Sequence, residues 1–247
     1  MDHYKYSAIS HRDFAYCNPI SQEKMERIFD LLELQPEDRV IDFGTGKAEL
    51  LLRLIERFHV QATGIERSPY FLQELYQRAE TRVSKSSLEI IESDATTYQT
   101  RRESVSLAAC MGACEIFGGY KGTLERLAQM VQPGGYVLVG EGYWKRDPDP
   151  AYLRAFGEAL DAFLSHADNV MAGTQFNLIP LYAAVCSDDD WDHYEWVHSS
   201  AVERYAREHP DDPDVPELLA RIRDWRELYL RGGRNTLGFA VYLFQRA

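Results

Sequence analysis

The run Val40-Ile41-Asp42-Phe43-Gly44-Thr45-Gly46-Lys47-Ala48 joins a buried-strand pattern to a glycine turn that opens a helix, Ala48 to Arg57. Glycine at 44 and 46 removes side chains where a ligand must approach the backbone, and the helix start behind them presents free N–H groups. Such a turn serves a nucleotide-like ligand, and its neighbours restrict which one. A phosphate-cradling loop needs Lys followed by Ser or Thr, whereas Lys47 is followed by Ala48. A dinucleotide turn needs Gly or Ala at position 49, and the carboxylate of Glu49 would repel a pyrophosphate. An adenosine ligand without phosphates remains. Glu66 ends a second strand pattern, Gln61 to Glu66, 20 residues past Gly46, where an acid can accept both ribose hydroxyls. Asp94 follows a third strand pattern, Leu88 to Glu92, and could accept from an adenine amino group.

Gln132-Pro133-Gly134-Gly135, a turn into a fifth strand, completes an ordered set of signals between Val40 and Trp144. Together they resemble the class I S-adenosylmethionine (SAM)-dependent methyltransferases. The resemblance implies Asp42, Gly44 and Gly46, with Thr45 between the glycines, at the methionine end of SAM. It implies Glu66 on the ribose with Arg67 beside it, Asp94 and Ala95 at the adenine, and Cys110 lining the cleft at the end of the fourth strand. The family often has a third glycine where this chain has Ala48. The resemblance further implies a final strand inserted antiparallel between strands five and six.

A sulfonium methyl group is already activated, so the barrier falls mainly through alignment. The acceptor lone pair must lie in line behind the methyl carbon at about 3–3.5 Å, with water excluded. A protonated hydroxyl or amine also needs a base; no protein nucleophile and no metal is required. Three groups could face the acceptor. Glu115, past strand four, is either a base or a carboxylate on the first turn of the next helix. Glu141, Tyr143 and Trp144 end strand five, where an acid with two aromatics suits a cationic or planar substrate and ordinary packing under inserted helices is the alternative. His11 to Pro19 precedes the first long helix, and in the family such segments close over the cofactor; His11 is a candidate base, and Tyr16 and Asn18 are candidate pocket walls.

These residues need a frame. Ser21 can cap a helix from Gln22 to Glu33, after which strand signals alternate with helices as far as Glu141. The expected fold is α/β: a Rossmann-like, doubly wound, mostly parallel sheet of seven strands with helices on both faces. An N-terminal lid and helix (1–35), a SAM-binding core (36–144), a helical insertion (145–177) and C-terminal strands and helices (178–247) make one domain. Ala151 to Ser165 reads as the amphipathic insertion helix and Ile179 to Cys186 as a sixth strand. Ser187-Asp188-Asp189-Asp190 caps a further helix, Val215 to Arg231 is another, and Leu237 to Phe244 is the last strand.

Bulk composition fits a cytoplasmic enzyme: 247 residues with 45% hydrophobic content fill one core. No apolar run reaches the about 18 residues of a membrane span, and Met-Asp-His-Tyr-Lys-Tyr lacks a signal peptide's apolar segment. A net charge of −12 argues against nucleic acid or an anionic membrane as partner. Cys17, Cys110, Cys114 and Cys186 match no zinc spacing, which leaves no metal site. The functional expectation is methyl transfer from SAM, with S-adenosylhomocysteine as product, to an O, N or C atom of a small molecule by a monomer or homodimer. A non-catalytic SAM-binding protein, a transferase of another group from a SAM derivative, and thiol methylation through convergent cysteines are the alternatives.

Overall fold

The computed structural model describes residues 1–247. Strands β1 (Arg39–Phe43), β2 (Gln61–Glu66), β3 (Leu88–Glu92), β4 (Val105–Met111), β5 (Val131–Trp144), β6 (Leu178–Val185) and β7 (Leu237–Arg246) form one sheet in the order β3-β2-β1-β4-β5-β7-β6. The first five run parallel, and β7 lies antiparallel between β5 and β6. Because helices cover both faces, β1 and β4 are buried along nearly their whole length rather than alternating.

The helices are α1 (His3–Ser10), α2 (Gln22–Phe29), α3 (Glu49–Phe58), α4 (Pro69–Arg82), α5 (Tyr120–Met130), α6 (Pro150–Phe156), α7 (His166–Ala172), α8 (Asp188–Glu208) and α9 (Val215–Leu228). One apolar cluster packs α2 and α3 on one face, and a second packs α5 and the insertion on the other. A third joins Tyr6 and Ile9 of α1 to Val202 of α8 and to Val215, Leu218 and Ile222 of α9. The C-terminal helices thereby hold the N-terminal one over the edge of the sheet. No helix is long and apolar enough to cross a membrane.

Three local expectations are corrected. The insertion is not one helix: Gly157, at φ +82°, ends α6, and the chain restarts at Ser165, whose side chain caps α7. Helix α9 stops at Leu228 and passes into a π-helical turn, Tyr229–Gly233. Residues 3–10, read as no element, are helical, capped by Asp2 through a 2.8 Å bond from the Tyr4 N–H. Helix α1 has almost no amphipathic periodicity of its own, so docking on α8 and α9 makes it worthwhile.

Candidate functional site

The glycine turn is built by alternation of left-handed residues: Gly44 at φ +67°, Gly46 at +55° and Ala48 at +59°. Ala48, the non-glycine member, sits at the N-cap of α3 instead of inside the helix. The N–H groups of Gly44 and Thr45 both donate to the carbonyl of Ile65, at 3.0 and 3.1 Å, which lays the turn on the end of β2. The next residue of β2, Glu66, reaches beneath the turn. One carboxylate oxygen accepts from the Gly46 N–H at 2.8 Å, and the other accepts from Arg67 at 2.9 Å and Ser68 at 2.7 Å. This acid is fixed in place by backbone donors and leaves little freedom for its orientation.

Below the turn, Asp42 is buried and its Oδ1 has no hydrogen-bond partner, nor has the Thr45 hydroxyl beside it. Burial pushes the Asp42 carboxyl up to about 7; the Thr45 hydroxyl works against this and the Glu66 charge adds to it. At the lip, Asp94 accepts from the Thr96 N–H at 2.9 Å and from Arg67 at 2.8 Å, an exposed pair that closes one side. These groups gather at the carboxyl ends of β1, β2 and β3, beside the point between β1 and β4 where the strand order reverses, the place at which open α/β sheets bind ligands.

They line a cleft of about 580 Å³. Of the residues selected from sequence, Gly44, Gly46, Glu66, Arg67, Asp94, Ala95, Glu115 and His11 stand on its walls, whereas Asp42 and Thr45 are buried behind the glycine turn and do not line it. Met111 and Gly112, at the end of β4 in the run from Cys110 to Glu115 that the sequence offered for the acceptor side, also line it, and with them stand residues that the sequence did not single out: His3, Tyr4 and Ser7 of α1, Phe71 of α4 and Tyr194 of α8. Only the fold brings helices from the two chain ends here.

Five selected residues lie elsewhere. Cys110 is fully buried on the α5 side of β4, because successive strand residues face opposite ways and Met111 takes the cleft. Tyr16 is in the core under α2 and α3, its hydroxyl without a partner. Asn18 is buried and its Oδ1 accepts from the Ile20 N–H at 3.2 Å, the bond of a local turn. Tyr143 and Trp144 extend the β5–β7 ladder opposite Gly238 and Leu237, and the insertion covers them. There the Trp144 N–H donates to the Leu160 carbonyl at 2.8 Å and its ring meets Phe163 edge-on at 5.1 Å. Glu141 is also withdrawn: it accepts from the Gly142 N–H at 2.7 Å beside Cys114, and burial raises its pKa. The three cysteines do not converge on the cleft: Cys17 lies at it, while Cys110 and Cys114 meet each other, buried behind it.

His11 stands differently from the other candidate bases. Its Nδ1 lies 2.8 Å from the Ser7 carbonyl, an acceptor, which puts the proton on that nitrogen. Its Nε2 therefore accepts from the Tyr194 hydroxyl at 2.7 Å. Enclosure by protein lowers the imidazole pKa to about 4, so it is neutral at pH 7. The segment carrying it is anchored. The Lys47 ammonium, 1% exposed, donates to the carbonyls of His11 at 2.7 Å, Phe14 at 3.2 Å and Arg12 at 3.3 Å and pairs with Glu74 at 2.9 Å. The Glu49 carboxylate, assigned above to repelling a pyrophosphate, is held by Arg82 at 2.6 Å, Arg53 at 2.7 Å and Arg78 at 3.4 Å, which ties α3 to α4.

A seven-stranded sheet of this order with a glycine-turn cleft at its switch point defines the methyltransferase class of Rossmann-like proteins. Residues 40–135 match the family model described as a methyltransferase domain. Over 244 residues, 98% of each chain, this one is 29% identical to uncharacterized protein YjhP of Escherichia coli K12. A SAM-dependent methyltransferase from Geobacter sulfurreducens, solved with S-adenosylhomocysteine, superposes with a TM-score of 0.90 at 28% identity over 98% of both chains. One from Thiobacillus denitrificans, solved with the same molecule, gives 0.89 at 28% identity over all of both chains. In sequence over residues 40–135 and in fold over its whole length, the chain is similar to the class I SAM-dependent methyltransferases.

Proposed function

We propose that this chain transfers the methyl group of SAM to a small molecule, as a cytoplasmic enzyme without a nucleic-acid or membrane partner. The observation that carries this reading is a second depression. A groove of about 680 Å³ between α1, α6, α8 and α9 shares His3, Ser7, His11 and Tyr194 with the cleft. A cofactor in the cleft and an acceptor in the groove would meet at the His11–Tyr194 pair. The groove is suited to a metabolite, and the charge of −12 disfavours a polyanion.

The residues present fit SAM. Left-handed glycines keep the turn open, since a Cβ on Gly44 would come within 3.0 Å of Ala113, and the orphan oxygens of Asp42 and Thr45 await donors or water. On this reading Gly44, Gly46, Asp42 and Thr45 hold the methionine end, Glu66 the ribose, and Arg67, Asp94 and Ala95 the adenine end. SAM supplies an activated methyl group for in-line displacement. The chain's own part is to align the acceptor, exclude water and receive its proton. Tyr194 can take a proton from an acceptor hydroxyl or amine while passing its own to His11 Nε2. Glu115, exposed on the far wall, is not in this relay, and Glu141 is shielded from it.

The test has two parts. Calorimetry should show S-adenosylhomocysteine binding by the wild type, and Tyr194→Phe should retain it. Incubation with SAM and a panel of small alcohols, amines and acids should release S-adenosylhomocysteine, and Tyr194→Phe should lower kcat more than KM. Binding without turnover on any member of a broad panel would favour a regulatory SAM-binding protein.

A further inference from the structure

Helix α8 carries an acid that the methyl-transfer reading does not use. Glu195, 4% exposed, accepts from the Trp225 indole N–H at 2.8 Å through Oε2, while its Oε1 has no partner. No lysine or arginine pairs with it, although nearly every other acid on α8 that approaches a neighbouring element meets a cation, as Asp188, Asp190 and Asp192 do. A buried carboxylate without a cation or a full set of donors is costly, and here burial pushes its pKa up to about 7.

What surrounds it is aromatic. Glu195 lines a small void together with the rings of Tyr152, Trp191, Trp225 and Tyr229. Trp191 and Tyr229 lie near-parallel at 6.3 Å, and Tyr152 is pressed against Gly232, where a Cβ would come within 2.5 Å of the ring. The π-helical turn Tyr229–Gly233 supplies one side, a rare backbone form that concentrates at binding and catalytic sites. The void offers about 10 Å³, room for one water-sized group and no more. Trp225 and Leu228 wall both this void and the groove assigned to the acceptor, so the two are adjacent.

We propose that the void is a subsite for the compact cationic head of the methyl acceptor, a primary ammonium group, with Glu195 as its counter-ion and the four rings as cation–π walls. The acceptor is then a small amine-bearing metabolite whose methylated atom lies at the other end of the molecule, toward Tyr194. This rests on the reading of the groove as the acceptor site. A trimethylammonium group is too large for the void, and a neutral head would gain nothing from the charge that Glu195 can carry. A single trapped water is the competing occupant.

Equilibrium titration of the full chain, followed by calorimetry and tryptophan fluorescence, separates them with propylammonium, tetramethylammonium and 1-propanol as probes. Propylammonium should bind in the millimolar range, and tetramethylammonium and propanol at least about tenfold more weakly. Glu195→Gln should cost propylammonium at least about tenfold while S-adenosylhomocysteine affinity is unchanged. If Glu195→Gln does not fold, Tyr152→Leu, which removes one wall, should weaken propylammonium several-fold. Equal binding of propylammonium by wild type and variant, equal binding of tetramethylammonium, or no binding of propylammonium into the tens of millimolar would overturn the assignment. Retained S-adenosylhomocysteine binding in that last case would leave the cofactor reading standing, and its loss in the wild type would remove that reading separately.

Discussion

Replacing Lys47 by methionine isolates the joint between the cofactor turn and the N-terminal segment. Methionine nearly matches the lysine stem, so the packing loss is small. What disappears is an ammonium that donates to three carbonyls at 2.7–3.3 Å and pairs with Glu74. Hydrogen bonds to a charged group contribute about 1.5–3 kcal/mol each, offset by the desolvation of the ammonium. Removing one partner of a buried ionic group typically costs about 3–5 kcal/mol, because the groups left behind stay dry. Here the carbonyls of His11 and Phe14 are left, whereas Glu74, 31% exposed, can rehydrate, so a loss near the lower end, about 3 kcal/mol, is expected. Release of residues 1–19 sets a ceiling: if that segment detaches for less, the chain opens there instead. Arg78, 3.3 Å from the Phe14 carbonyl, and the α1 cluster resist this. Urea unfolding gives the global loss, and hydrogen exchange shows whether opening is confined to residues 1–19. Either way S-adenosylhomocysteine binding should weaken, because His3, Ser7 and His11 wall the cleft. A loss below about 1 kcal/mol with unchanged exchange in this segment would refute the argument.

Glu66→Gln should weaken S-adenosylhomocysteine at least about tenfold by calorimetry, since an amide turns a donor toward backbone N–H groups that the acid now serves; unchanged affinity would remove the ribose assignment. The ligand-free protein should show a nearly flat stability between pH 5 and 6.5. His11 and His198, lowered to about 4 and about 3 by burial, lose stability there as pH falls, because the unfolded chain binds their protons. Asp42 and Glu195, raised to about 7, lose stability as pH rises, because the folded chain binds theirs. Glu195→Gln removes one proton from the folded state, so its urea midpoint should now rise with pH by the equivalent of about 1.4 kcal/mol per unit; a slope equal to that of the wild type would count against a buried, protonated Glu195. Gly238→Ala should destabilise by about 1–3 kcal/mol or more in denaturant, because its Cβ would stand 2.3 Å from the Tyr143 ring; a neutral result would show that Tyr143 is free to move, as a pocket wall would be.

Local patterns in the chain pick out most of the cleft residues proposed to hold the cofactor, Cys110 excepted. A glycine turn after an apolar strand, an acid at the end of the next strand and an Asp after the third are read in sequence because each is positioned by its own strand, within a few residues of backbone. Parallel pairing of those strands then brings Asp42, Glu66 and Asp94 to one edge. The neighbouring groove, proposed above for the acceptor, has no such local rule. Which face of β4 meets the cleft, Cys110 or Met111, depends on register, and the fate of Tyr143 and Trp144 depends on how the insertion folds back over them. Tyr194, Glu195 and Trp225 lie on two C-terminal helices with no local signal to mark them, and α1 carries almost no periodic signal. Contacts such as Tyr194 with His11, 183 residues apart, and Trp225 with Glu195, on different helices, arise only when the two chain ends dock together over the sheet. The cleft proposed for the cofactor is thus encoded mostly by short-range backbone geometry. The adjoining groove comes from long-range packing, which sequence periodicity does not record.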